Sequence, residues 1–108
     1  MSLLRNLFPG RTEEVGPGGR WLDGLALYTT EGCWFCTRVR NAMARDGIDF
    51  ELRDVRRDPA HRQELLREGG KSQVPCLRIE TLQGVEWLYE SGDIVRYLER
   101  YRQRLAQE

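Results

Sequence analysis

The spacing of apolar and polar positions marks out one folded unit that begins near Trp21. Leu25-Ala26-Leu27-Tyr28-Thr29 is a short apolar run, the pattern of a strand buried on both faces. Behind it Cys36, Val39, Ala42 and Met43 recur at helical spacing, with Arg38, Asn41 and Arg45 off that stripe. This predicts a helix that starts at or just after Cys33 and stops at Gly47, where a left-handed C-terminal cap is expected. Ile48-Asp49-Phe50-Glu51-Leu52-Arg53 alternates strictly between apolar and charged residues, as a half-buried strand at a sheet edge does. Asp58-Pro59 reads as an N-cap with proline in the first turn, opening a charged helix that runs to Gly69-Gly70. Val74 to Glu80 and Val85 to Tyr89 then form a hairpin about Leu82-Gln83-Gly84. The last helix takes Ser91 as N-cap and Asp93 in its first turn, with Ile94, Leu98, Tyr101 and Leu105 as its apolar stripe.

The order β-α-β-α-β-β-α predicts an α/β fold: a four-stranded mixed sheet, parallel at its start and antiparallel at its finish, flanked by helices on both faces. A right-handed crossover then delivers Cys33 to the carboxyl end of the first strand. Residues 9–20 hold two prolines and four glycines and show no apolar period. Residues 1–20 are therefore expected to be an N-terminal extension, a loop or flexible arm, and residues 21–108 the domain.

Composition narrows the function. Lys plus Arg and Asp plus Glu both total 17, so no net positive field favours nucleic acid. No apolar run approaches the roughly 20 residues of a membrane span. The apolar stretch within Met1 to Gly10 is too brief for a signal-peptide core, which points to a cytoplasmic protein. Three cysteines do not make the even, larger set of a secreted disulfide framework. In a reducing compartment a close pair is more often redox-active or metal-binding than structural.

That pair is Cys33-Trp34-Phe35-Cys36. A thiolate rather than a thiol attacks disulfides, and the unpaired N–H groups and dipole at a helix N-terminus favour an anion there. Cys33 is the expected nucleophile and Cys36, one helical turn on, the resolving thiol, with Gly32 leaving the preceding backbone free to turn tightly. A Cys-x-x-Cys also suits half of a zinc site or a buried pair. Zinc wants further ligands, and only Cys76 and His61 remain, so no metal is assigned.

Cys33-Trp34-Phe35-Cys36, Val74-Pro75 and Glu90-Ser91-Gly92-Asp93-Ile94 together resemble the glutaredoxin family, over about residues 24 to 104. The last segment is also similar to the Glu/Gln-Ser turn in the amino-terminal domain of glutathione transferases. The resemblance implies a thioredoxin-like fold and a glutathione-dependent thiol–disulfide oxidoreductase that reduces protein or glutathione mixed disulfides through Cys33 and Cys36. It implies a cis peptide bond before Pro75 and backbone docking of glutathione at Val74. It places the γ-glutamyl end at Ser91, Gly92 and Asp93, and offers Lys71 for the glycyl carboxylate. Glutathione is then the cosubstrate, disulfide-bearing proteins are the partners, and the chain is expected to act as a monomer.

Two departures stand out. Thr30 occupies a position where many glutaredoxins carry lysine, and Trp34-Phe35 replaces the usual Pro-Tyr. Family members without that proline are the ones more often found bridging an iron–sulfur cluster, so a glutathione-ligated cluster carrier is one alternative. A non-catalytic binding module that works through Trp34 and Phe35 is another. Cys76 is expected in the core, His61 and the helix arginines in solvent, and Trp87 and Tyr89 as core cover, with Arg38 and Arg40 placed to steer an anion toward Cys33.

Overall fold

The protein is described by a computed structural model covering residues 20–107, so the expected N-terminal arm lies almost wholly outside the described residues. Four strands form the sheet: β1 (Arg20–Thr29), β2 (Ile48–Asp54), β3 (Cys76–Thr81) and β4 (Gly84–Leu88). Their order is β2-β1-β3-β4. β1 pairs parallel with β2 and antiparallel with β3, and β3 pairs antiparallel with β4. The central place of β1 is why Leu25 to Thr29 are all buried; at the edge, β2 buries Ile48 and Phe50 but leaves Leu52, the third apolar position of its alternation, exposed. β1 begins well ahead of that apolar run. Arg20 and Asp23 are exposed and only Leu22 of the first half is buried, so the apolar run does not extend there, and the register shifts between Trp21 and Ala26.

Helix α1 (Trp34–Asp46) buries the stripe Cys36, Val39, Ala42 and Met43. It ends at Gly47 with φ 66°, a left-handed cap that any side chain would strain. Helix α3 (Ser91–Ala106) packs beside α1 on the same face, where Ile94 and Leu98 meet Leu25, Leu27 and Val39. Glu90, not Ser91, is its N-cap. Glu90 is extended at φ −87°, ψ 127°, and its carbonyl already accepts the Ile94 N–H at 3.0 Å, so helical bonding starts one residue earlier than the sequence suggested. Ser91 thereby becomes the first helical residue, and it is buried.

On the opposite face the expected single helix is two pieces. Helix α2 (Pro59–Glu64) is capped by the Asp58 carboxylate, which accepts the Ala60 N–H at 3.0 Å. It passes into a π-helical turn, Leu65–Gly69, that closes at Gly70 with φ 93°. Leu65 fills a second core cluster with Tyr28, Val55 and Cys76, against which Val74, Trp87 and Tyr89 pack. The widened turn brings Gly69 against β4: a Cβ there would collide with the Tyr89 hydroxyl and lie 2.9 Å from Trp87 Cε3. Helical periodicity holds through this segment, so nothing in the residue pattern marks the change of pitch.

Candidate functional site

The turn after β1 carries Gly32 at φ 78° and hands the chain to Cys33, whose extended backbone (φ −96°, ψ 116°) caps α1. Cysteine takes the cap role that serine or aspartate often fills. Its sulfur accepts the Cys36 N–H at 3.3 Å, while its carbonyl accepts the Thr37 N–H at 3.0 Å and the Thr37 hydroxyl at 3.1 Å. Both cysteines are free thiols, but their surroundings differ: Cys33 is partly exposed and Cys36 is fully buried. Burial pushes the Cys36 thiol up, and so does its own hydrogen bond to Cys33. The neighbouring Thr29 side chain and Thr30 backbone oppose that rise. Trp34 and Phe35 stand out beside this pair, 68% and 53% exposed, edge to face at 5.0 Å.

The Val74–Pro75 peptide bond is cis, and Pro75 is buried. Cys76 opens β3 directly opposite Tyr28 of β1. The paired register ends there, and Val74 and Pro75 form the bend that leads into β3. Across the top of the sheet, Arg38 of α1 donates to the Ser91 hydroxyl at 3.2 Å. A Cβ on Gly92 would lie 3.7 Å from Arg96 and 3.9 Å from Arg38, so two guanidinium groups converge over the first turn of α3. Asp93 pairs with Arg96. Lys71 instead makes its contacts with Tyr89: its ammonium lies 5.3 Å from the ring centroid, and its N–H and carbonyl both bond the phenol, at 3.3 and 3.1 Å.

The arginines of α1 are engaged rather than merely solvated. Besides the Arg38 bond, Arg40 reaches back to Thr29 Oγ1 at 2.7 Å and across to Thr37 Oγ1 at 3.2 Å. Sequence reasoning placed both near Cys33 without partners and read Thr29 only as the end of an apolar strand. A hydroxyl closing a strand four residues before a cysteine is the signal that was there to find. Cys76 is fully buried, its thiol pushed up to about 12 by burial, with a weaker opposing bond from Tyr89. His61 pairs with Asp58 at 3.6 Å on α2. Among the described residues no group of three or more His, Cys, Asp and Glu side chains is placed to hold a metal ion. No helix among them is long and apolar enough to cross a membrane.

The model of the glutaredoxin family matches residues 25–81, which is more than half of the chain. The chain belongs to the glutaredoxin family. The match takes in both cysteines of α1 and the Val74-Pro75 turn, and stops short of Ser91. A glutaredoxin of Pseudomonas aeruginosa is 35% identical over 55 residues, which cover 51% of this chain and 66% of that relative, just under two thirds. Glutaredoxin 3 of Escherichia coli is 28% identical over 59 residues, 55% of this chain and 71% of the relative. Among solved structures, a thioredoxin-like protein superposes with a TM-score of 0.55 at 21% identity, covering 67% of this chain and 95% of its own. A maleylacetoacetate isomerase of Anaeromyxobacter dehalogenans, solved with GSH in its active site, superposes with a TM-score of 0.56 at 29% identity, covering 73% of this chain and 38% of its own. The fold of this chain is thus the thioredoxin-like one that the resemblance implied, built on the four-stranded mixed sheet that the residue pattern predicted.

Proposed function

We propose that the protein is a glutathione-dependent thiol–disulfide oxidoreductase, with Cys33 as nucleophile and Cys36 as resolving thiol. The observation that carries this reading is the asymmetry of the pair. Cys33 is the accessible sulfur at a helix N-cap, and it receives the Cys36 N–H at 3.3 Å. Such a donor stabilises a sulfur anion, while the buried partner stays protonated until it is needed. In the first step Cys33 thiolate attacks the glutathione sulfur of a mixed disulfide, the old S–S bond breaks, and the substrate leaves as thiolate. Cys33 then carries glutathione. A second glutathione thiolate attacks the bound glutathione sulfur and returns Cys33, or Cys36 attacks Cys33 and releases glutathione.

Four features support glutathione as the cosubstrate. Val74, in the cis bend that leads into β3 opposite the end of β1, offers its backbone to the cysteinyl peptide. Ser91 and the Gly92 and Asp93 N–H groups, under the guanidinium groups of Arg38 and Arg96, offer an anion site for the γ-glutamyl carboxylate. Lys71 supplies a cation for the glycyl end, where Thr30 offers none. The bound GSH of the structurally similar isomerase points the same way.

The deciding experiment is a glutathione-coupled disulfide reductase assay on the wild type and on Cys33→Ser. Turnover in the first and none in the second is expected. A wild type with no turnover, or a Cys33→Ser variant as active as the wild type, removes the assignment.

A further inference from the structure

From Lys71 to Val74 the chain crosses from the π-helical turn toward β3 as an irregular loop, and among the described residues its hydrogen bonds are made at one point. The Tyr89 hydroxyl accepts the Lys71 N–H at 3.3 Å and donates to the Lys71 carbonyl at 3.1 Å. That N–H and that carbonyl belong to the two peptide planes on either side of the Lys71 Cα, so one hydroxyl restrains both soft dihedrals of the residue. The aromatic ring holds the side chain as well, with the Lys71 ammonium 5.3 Å from its centroid. Among the described residues no carboxylate pairs with that ammonium.

Tyr89 is itself held in place. Its ring packs against the cluster of Tyr28, Val55, Leu65 and Cys76, and Gly69 leaves room for its hydroxyl where a methyl group would collide. It also stands one residue ahead of Glu90, the cap that starts α3. A single side chain thereby joins the Lys71 loop to the Ser91 turn, the two places proposed above for the glycyl and γ-glutamyl ends of glutathione.

We propose that Tyr89 is a positioning residue for glutathione: by fixing the Lys71 backbone it sets where the Lys71 cation stands relative to the Ser91 turn, and so selects a thiol that carries the glycyl carboxylate. The proposal rests on the reading of Lys71 as the cation for the glycyl end. Tyr89 touches no reacting atom and acts through the backbone of Lys71. Without the hydroxyl the loop keeps its cation but not its place, so binding has to order Lys71 first. That cost falls on binding the carboxylate and not on sulfur exchange at Cys33.

The test uses the full chain and one peptide in two forms, its cysteine joined in a mixed disulfide either to glutathione or to glutathione whose glycyl carboxylate is amidated. Initial rates of peptide-thiol release, read by mass spectrometry at fixed dithiothreitol, give kcat and KM for each form. The wild type should show the lower KM for the free carboxylate. Tyr89→Phe keeps the ring and its packing and removes both hydrogen bonds. It is expected to raise the KM for the free-carboxylate form about three- to fivefold, the size of one net hydrogen bond, at unchanged kcat, and to leave the amidated form where it was. Lys71→Met should bring the two forms together, and adding Tyr89→Phe to it should change nothing further. A Tyr89→Phe variant that matches the wild type, that raises both KM values alike, or that adds its full effect to Lys71→Met overturns the proposal. A wild type that does not distinguish the two forms takes Lys71 away from the glycyl end and the proposal with it, an outcome separate from a wild type that distinguishes them and a variant that does so equally well. Amide hydrogen exchange on the wild type needs no variant: the Lys71 N–H should exchange more slowly than those of Ser72 and Gln73, which have no partner among the described residues, and equal exchange overturns the anchor.

Discussion

Arg38 and Ser91 are 53 residues apart in sequence, and a 3.2 Å hydrogen bond joins them, linking the helix that carries both cysteines to the first turn of the helix that closes the fold. The bond leaves the Arg38 charge facing the same turn as that of Arg96. A carboxylate placed there meets two guanidinium groups and the free N–H groups of α3 together. Arg38→Met should therefore raise the KM for glutathione about two- to fivefold, with a smaller effect on kcat, as expected when one exposed charged contact is lost. Steady-state kinetics over a range of salt concentrations check this. The wild-type KM should climb with salt and the variant's should climb less; equal slopes would detach Arg38 from the anion.

The three thiols should separate cleanly under a limiting alkylating reagent near neutral pH. Cys33 is partly exposed, whereas Cys36 and Cys76 are fully buried, and burial pushes both of their thiols up, Cys76 to about 12. Peptide mass mapping of the reduced protein is expected to show Cys33 modified first, Cys36 slowly, and Cys76 only on unfolding. Early labelling of Cys76 with Cys33 untouched contradicts the assignment of nucleophile.

The residue pattern carried most of the fold, and the reasons are local. Periods of two and of about 3.6 residues persist wherever one face of an element meets the core, as in β2 and α1. Gly47 and Asp58 mark helix ends through backbone preferences that act within a few residues. What the pattern left unread depends on distant groups. Ser91 looks like an N-cap until the Glu90 carbonyl is found accepting the Ile94 N–H. Arg40 looks like a solvated charge until Thr29 is found beneath it. The π-helical turn is set by Leu65 and Gly69 against Trp87 and Tyr89, side chains from another strand.

That turn makes a further test. Gly69 faces the Tyr89 hydroxyl and the Trp87 ring so closely that a methyl group has no room, whereas Gly70 has open space and a left-handed φ of 93°. Gly69→Ala should cost about 2 kcal/mol through overpacking, and Gly70→Ala about 1 kcal/mol through backbone conformation alone. Urea unfolding of both measures this. Tyr89→Phe removes the oxygen that the Gly69 methyl meets, so the double variant should be less destabilised than the sum of the singles. Strict additivity would mean that the turn gives way elsewhere.

Buried acids tie stability to the alkaline side, Tyr28 and Cys76 most strongly. The Tyr28 phenol is pushed up to about 12, first by burial and then by its bond to Glu64, against the pull of Arg53, and the Cys76 thiol is pushed up to about 12 by burial. In each case the folded state keeps a proton that the unfolded chain releases, so the stability tied to it is whole below the unfolded value, about 8.5 for a thiol and 10 for a phenol. It is lost as the pH climbs from there toward about 12. The thiol acts first. Cys76→Ala should be less stable than the wild type at neutral pH because it leaves a small cavity, but its stability should fall less steeply above about pH 8.5. Tyr28→Phe should match the wild-type slope there and flatten only above about pH 10, while losing stability at neutral pH through the Glu64 and Arg53 partners it abandons. Chemical denaturation at stepped pH separates the two contributions, and curves for Cys76→Ala and wild type that stay parallel above about pH 8.5 would show that the buried thiol is not what couples folding to alkali.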